Sequence, residues 1–211
     1  MTRGLALAIV VVLMGSALGA HQIDEYVQAA RVSLSRDRIV VSLDLTPGVA
    51  IAGSVIQRLD QDSDQRISPP EAEAYGREVL SALTATLDAA PLPLRLTRVE
   101  VPPVGELRDG VGAIRIEATA DAVAAAGRHH LMIHNTHRPQ ESVYLANALI
   151  PAEDDIRIAR QDRDARQQLY RLEYEVATPR SSAAVGWVLA AAAVLALQAR
   201  WRRRVAAATL S

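Results

Sequence analysis

The feature that most constrains the fold is the alternation of apolar and polar residues along most of the chain. In RIVVSLDLTP, Arg38–Pro47, every second residue from Ile39 to Leu45 is apolar, so these side chains share one face of a strand. The preceding ARVSLS segment is positioned to pair with it through the polar turn Ser35–Arg38, which predicts a β-hairpin. Alternation of this kind is typical of strands with one buried face.

Further segments with strand character are separated by Pro- and Gly-containing turns such as VPPVG and RDGVG. They are Leu92–Val101, Ala113–Thr119, Arg128–Asn135, Ser142–Ile150, Asp155–Arg160 and Gln168–Val176. About eight short strands predict a mainly β fold, specifically a β-sandwich-like domain with two sheets packed face to face.

An acidic segment, RLDQDSDQRISPPEAEAY, interrupts this pattern and has the ligand spacing of an EF-hand calcium loop. Counting from position 1, loop positions 1, 3, 5, 7, 9 and 12 are Asp60, Asp62, Asp64, Arg66, Ser68 and Glu71. Calcium prefers hard oxygen ligands, which the aspartates and a bidentate Glu71 would supply. Position 7 requires only a backbone carbonyl, so Arg66 is acceptable there. The segment therefore predicts a Ca²⁺ site.

The residues on both sides of the loop predict helices. Val55, Ile56 and Leu59 form one apolar face of an incoming helical turn, and Glu71–Leu87 has apolar residues at helical spacing. We therefore expect a helix-loop-helix at about residues 51–87, inserted between the second and third strands. Gln65 occupies position 6, where glycine is expected, and a left-handed backbone there costs roughly 1 kcal/mol. Calcium binding should be weakened accordingly.

A metal-free alternative explains part of the same segment. Ser68-Pro69-Pro70-Glu71 is a capping box, with Ser68 as N-cap, proline at the first helical position and Glu71 at the third. A capping box does not explain why three aspartates are crowded together, because their mutual repulsion is unfavourable without a cation. We therefore favour calcium binding, with a structural or surface-shaping role.

Both ends of the chain predict export and membrane anchoring. Residues 1–20 resemble a signal peptide cleaved after Gly19 or Ala20, although a short N-terminal anchor is an alternative. Residues 183–199 carry no charge and would form a helix of about 26 Å, enough to span a thin bilayer. The arginines of RWRRR predict that the tail, residues 200–211, is cytoplasmic. Residues 21–180 would then be an extracytoplasmic domain attached by a single transmembrane helix to the inner (cytoplasmic) membrane. A buried helix, or a sorting signal that is later removed, is the alternative for the C-terminal segment.

Composition and motifs exclude several functional classes. The chain has a net charge of −1, and without Arg3 and the four arginines of RWRRR the region 21–180 has a charge of −6. An acidic domain does not favour nucleic acid as a partner. No cysteine, Gly-x-Ser-x-Gly elbow, phosphate-binding loop or HExxH motif is present, so we expect a protein that is not an enzyme. Without disulfides, apolar burial or a bound ion must stabilise an exported domain.

Most of the region 20–177 resembles a group of exported bacterial proteins that begin with an AH…EY pattern, here Ala20, His21, Glu25 and Tyr26, and carry a β-rich domain interrupted by one EF-hand. In some members of that group, a similar domain precedes multi-span modules similar to nickel or cobalt permeases and hydrogenase/urease accessory membrane proteins. This chain lacks such a module, so the resemblance implies at most an accessory role beside a membrane transporter or another envelope protein.

A second, competing metal site is suggested by RHHLMIHNTH. If Arg128–Asn135 is a strand, His129, Leu131 and Ile133 face inward. His130, Met132 and His134 then share the outer face at intervals of about 7 Å. Imidazole and thioether ligands suit copper, and imidazole suits nickel or zinc; a mature N-terminal His21 would add further ligands. The alternative is a solvated sheet face without a metal. The competing function is a periplasmic copper- or nickel-binding protein.

Overall fold

The computed structural model describes residues 25–178, and within this range the protein is mainly β. The strands are β1 (Tyr26–Leu34), β2 (Arg38–Pro47), β3 (Leu83–Leu87), β4 (Ala90–Pro91), β5 (Arg95–Glu100), β6 (Ile114–Asp121), β7 (Gly127–Asn135), β8 (Ser142–Ala148), β9 (Ile156–Arg163) and β10 (Leu169–Val176). The helices are α1 (Val49–Leu59), α2 (Pro69–Ser81) and α3 (Val104–Arg108). The mainly β prediction is confirmed, and β3 and β4 add to the strands expected from the sequence.

The strands form two five-stranded sheets, in the orders β5-β6-β2-β1-β8 and β4-β3-β7-β10-β9. The predicted hairpin of β1 and β2 is present, with Leu34 opposite Ile39 and Tyr26 opposite Pro47. Strand β8 pairs in parallel with β1 and forms an edge of the first sheet. Residues from both sheets contribute to one hydrophobic core, in which the apolar face of β2 is at most 1% exposed.

The two helices between β2 and β3 pack on this core. Helix α1 buries Val55, Ile56 and Leu59, which confirms the predicted apolar face, and α2 buries Tyr75 and Val79. Gly76 lets α2 approach β5 closely, because a Cβ atom at this position would lie 2.6 Å from a methyl group of Val99.

The prediction of one long helix over Glu71–Leu87 is wrong at its C-terminal end. Helix α2 ends at Ser81, and Leu83–Leu87 is strand β3, paired antiparallel with β7. Leu83 and Leu87 continue the helical spacing of α2, but Leu83 and Ala85 also alternate as buried residues of a strand. Pairing with β7 satisfies the backbone groups of this segment and decides between the two patterns.

Several predicted features lie outside the described residues. They are the signal peptide at 1–20, His21, the membrane span at 183–199 and the cytoplasmic tail at 200–211. Within residues 25–178, no helix combines the length and apolar character that crossing a bilayer requires.

Candidate metal site

The acidic loop is held between the ends of two helices. Asp60 follows the last turn of α1, where its N–H donates to the carbonyl of Ile56 at 2.8 Å. At the other end, the N–H and hydroxyl of Ser68 donate to Oε2 of Glu71 at 2.8 and 2.7 Å. The predicted capping box at the start of α2 is therefore confirmed.

Backbone amides curl the loop around its own carboxylates. The two oxygens of Asp60 accept hydrogen bonds from the N–H groups of Asp64 (3.1 Å) and Gln65 (2.9 Å). Oε1 of Glu71 accepts one from the N–H of Gln61 at 2.7 Å, so position 12 reaches back to the start of the loop. This geometry places the first and last acidic residues of the loop together.

Three of the predicted ligands converge. Carboxylate oxygens of Asp60, Asp62 and Glu71 lie within 4.8 Å of one another, and Asp60 and Glu71 are buried, at 7% and 9% exposure. Asp64 is not in this group; its Oδ1 accepts the N–H of Arg66 at 2.7 Å. The hydroxyl of Ser68 is directed to Glu71, and the Arg66 side chain is exposed. The loop thus brings positions 1, 3 and 12 together.

The carboxylates of this cluster are stabilised by hydrogen bonds and not by ion pairs. Across residues 25–178, none of the ion pairs involves Asp60, Asp62, Asp64 or Glu71. Hydrogen bonds from the Ser68 hydroxyl and backbone lower the pKa of Glu71 to about 2, so this carboxyl is ionised at neutral pH. A set of carboxylate oxygens fits a hard cation such as Ca²⁺ or Mg²⁺.

The loop also has the backbone strain expected from its sequence. Gln65 at position 6 has φ of 63°, in the left-handed region that favours glycine. Ser63 is left-handed as well, with φ of 62°. The acidic loop therefore contains two non-glycine residues in the left-handed conformation.

The histidines of β7 divide between two faces as predicted. His129 is buried, and its ring nitrogens contact Oδ2 of Asp88 at 2.7 Å and the carbonyl of Ala125 at 2.8 Å. His130 and Met132 are exposed and His134 is half-buried on the opposite face. Within the described residues, Asp60, Asp62 and Glu71 form a cluster of side chains close enough to share a metal ion. His130 and His134 do not belong to a cluster of this kind.

Sequence reasoning missed a buried polar network beside α2. The hydroxyls of Tyr26 and Tyr75 are 2.7 Å apart, and that of Tyr75 lies 3.4 Å from Nε2 of His137. The amide of Asn135 donates to Oε1 of Gln28 at 2.9 Å. The sequence of β1 did indicate such a network. Alternation places the polar Gln28 on the same face as Tyr26, and a polar residue on a buried face requires a hydrogen-bond partner.

No family model matches the sequence, and neither a curated protein nor a solved structure matches it significantly. The resemblance to exported proteins with a single EF-hand remains a prediction carried by the loop and the AH…EY pattern.

Proposed function

We propose that this chain is a calcium-binding, membrane-anchored protein outside the cytoplasm, in which Asp60–Glu71 forms a single EF-hand inserted into a β-sandwich-like domain. The observation that carries the proposal is the convergence of Asp60, Asp62 and Glu71 within 4.8 Å, without an ion pair to any of them among residues 25–178. Hydrogen bonds from backbone N–H groups and Ser68 compensate the burial of Asp60 and Glu71, and a cation would in addition relieve the mutual repulsion of the three carboxylates.

The proposed coordination builds on the residues of the loop. Asp60 and Asp62 each supply a carboxylate oxygen, and Glu71 supplies both of its oxygens. Asp64 coordinates the ion once its carboxylate rotates away from the Arg66 N–H. The carbonyl of Arg66 and Ser68 supply the ligands of positions 7 and 9. The Ser68 hydroxyl now donates to Glu71, so helix capping and ion binding compete for the same Oε2. This competition, together with the strain at Gln65, predicts modest affinity, in the range of about 10⁻⁴–10⁻³ M typical of extracellular modules.

A bound ion would act chiefly on folding and surface shape. Helices α1 and α2 both bury side chains in the core shared by the two sheets. An ion that joins Asp60 at the end of α1 to Glu71 at the start of α2 would fix the angle between these helices. Because it binds only the folded loop, it would stabilise the whole domain by mass action. We therefore assign the ion a structural or surface-shaping role, and no catalytic one.

The sequence supports the cellular setting of this proposal. Residues 1–20 direct export, residues 183–199 anchor the domain in the inner membrane, and an envelope protein such as a membrane transporter is the partner class that the family resemblance implies. In such a compartment millimolar calcium matches a weak site.

Thermal unfolding of the full chain in detergent tests the proposal. At a calcium concentration of about 100 times Kd, binding should stabilise the fold by about 2.7 kcal/mol. For a domain of this size, such stabilisation raises Tm by roughly 5–10 °C. An Asp60→Asn/Glu71→Gln variant should lose the shift. An unchanged Tm in calcium would overturn calcium binding, and an equal shift with magnesium would replace it with a general divalent-cation site.

A further inference from the structure

The described chain leaves the domain at one end, where segments of both sheets are tied together. After β10, the N–H of Ala177 donates to the carbonyl of Asp155 at 2.7 Å. Arg36, in the β1–β2 turn of the first sheet, donates from Nε to the carboxylate of Asp155 at 2.6 Å and from Nη2 to the carbonyl of Ala177 at 3.1 Å. Thr178, the last described residue, is therefore held next to the β1–β2 turn.

Three apolar side chains project from loops at this same end. Ile150 is 93% exposed, Val123 is 89% exposed and Leu149 is 45% exposed. Leu149 and Ile150 share one loop and Val123 lies in another, and backbone bonds hold both loops on the first sheet. The N–H of Leu149 donates to the carbonyl of Val32 at 2.8 Å, and the alanines on either side of Val123 donate to the turn residues Arg36 and Asp37 at 2.9 Å. Ala122 and Ala124 are buried, so Val123 between them points outward.

The number of residues between Thr178 and the predicted membrane span limits the distance between this end of the domain and the bilayer. The uncharged run begins at Ala183, five positions after Thr178. Five residues reach at most about 18 Å even when fully extended. If residues 183–199 enter the bilayer, the end of the domain that carries Val123 and Ile150 must stay close to the lipid surface.

We propose that this end rests on the bilayer, with Val123, Leu149 and Ile150 inserted among the lipids. The inference rests on the membrane anchoring proposed above, and it adds the orientation of the domain and the residues that touch lipid. The contact is carried by apolar side chains. Arg36 pairs with Asp155, and Glu175 accepts from both Arg128 and Arg157 at 2.8 Å. Of the other charged residues at this end, Asp37, Glu153 and Asp154 are acidic and Arg38 is basic, and none of the four takes part in an ion pair within residues 25–178. These residues give no excess of positive charge, so the proposed contact does not require anionic lipids.

The absence of cysteine from the sequence allows a direct test with single-cysteine variants of the full chain. Val123→Cys and Ile150→Cys, labelled with the fluorophore NBD, are reconstituted into phosphatidylcholine vesicles containing a nitroxide-labelled lipid. Val111→Cys is the matched control, since Val111 is also strongly exposed at 74%. Its neighbour Gly110 lies beside Pro47, at the other end of β2 from the β1–β2 turn and about 30 Å away. Ala190→Cys reports on the anchor itself.

We expect blue-shifted emission and nitroxide quenching at positions 123 and 150, and neither at position 111. If the label at position 190 is quenched but the labels at positions 123 and 150 show neither a blue shift nor quenching, as at position 111, the lipid contact is overturned and the anchor stands. A blue shift at 123 and 150 without quenching would mean that a protein surface covers them, which also overturns it. No quenching at 190 would overturn the anchor and the lipid contact together.

Discussion

The hydroxyl groups of Tyr26 and Tyr75 lie 2.7 Å apart in the protein interior, and their hydrogen bond joins the first strand to the helix that follows the acidic loop. Both side chains are at most 1% exposed. Burial raises the pKa of Tyr75 to about 12 and that of Tyr26 well above its usual range, so both hydroxyls stay protonated at neutral pH. Tyr75 lies one helical turn after Glu71, so this contact connects the candidate metal site to the first sheet.

Removing either hydroxyl should destabilise the domain. Tyr75→Phe leaves the buried Tyr26 hydroxyl without this partner and should lower the free energy of unfolding by about 1–3 kcal/mol. Tyr26→Phe should have an effect of similar size, and the double variant should cost less than the sum of the two. Urea unfolding of the three variants and the wild type measures this coupling. Strict additivity would show that the two hydroxyls contribute independently.

Gln65→Gly should relieve strain in the loop. Gln65 has φ of 63°, and glycine adopts this conformation without the cost of roughly 1 kcal/mol that a side chain incurs. We expect the variant to be more stable by up to about 1 kcal/mol and to bind calcium more tightly. Gln57→Gly, at an exposed position inside α1, is the matched control and should destabilise by about 1 kcal/mol. A loss of stability at both positions would contradict the strain at Gln65.

His137 should make stability depend on pH. Burial is the largest cause that lowers its pKa, to about 4, with Arg138 acting in the same direction and Glu78 and Glu141 opposing it. The ring also faces Tyr26 and Tyr75. Because the folded state resists protonation while an unfolded histidine has a pKa near 6.5, stability is full above about pH 6.5 and falls towards pH 4, by roughly 3 kcal/mol.

Urea unfolding between pH 7.5 and 4 measures this dependence. His137→Gln should flatten it. His129→Gln should not flatten the pH dependence. Burial lowers the pKa of His129, but contacts with Asp88 and Ala125 outweigh it and raise the pKa. The stability that His129 contributes is therefore present below about pH 6.5 and is lost as the pH rises. An unchanged slope in His137→Gln would contradict the role of His137.

The local parts of the fold could be predicted from sequence because they depend on short-range patterns. Alternation identified β2 and its buried face, and Ser68 with Glu71 identified the start of α2. The end of α2 could not be predicted, since Leu83 and Leu87 fit both helical and strand periodicity and only β7 decides between them. The parallel pairing of β1 with β8 and the contact of Tyr26 with Tyr75 depend on long-range packing, which no local pattern encodes.

The same distinction applies to the candidate site. Spacing identified Asp60, Asp62 and Glu71, which the fold brings together, because all three belong to one short loop. The present direction of the Asp64 carboxylate towards the Arg66 N–H is a matter of loop conformation and could not be derived from spacing.

Isothermal titration calorimetry of the full chain in detergent with calcium is the most direct test of the central claim, with Glu71→Gln as the decisive variant. Glutamine can still accept the Ser68 hydrogen bonds of the capping box, so α2 should remain intact while the charge and bidentate ligand are lost. We expect one calcium ion per wild-type chain, and binding at least tenfold weaker in Glu71→Gln with unchanged helical circular dichroism. Equal binding by the wild type and Glu71→Gln, or no binding by the wild type at millimolar calcium, would contradict it.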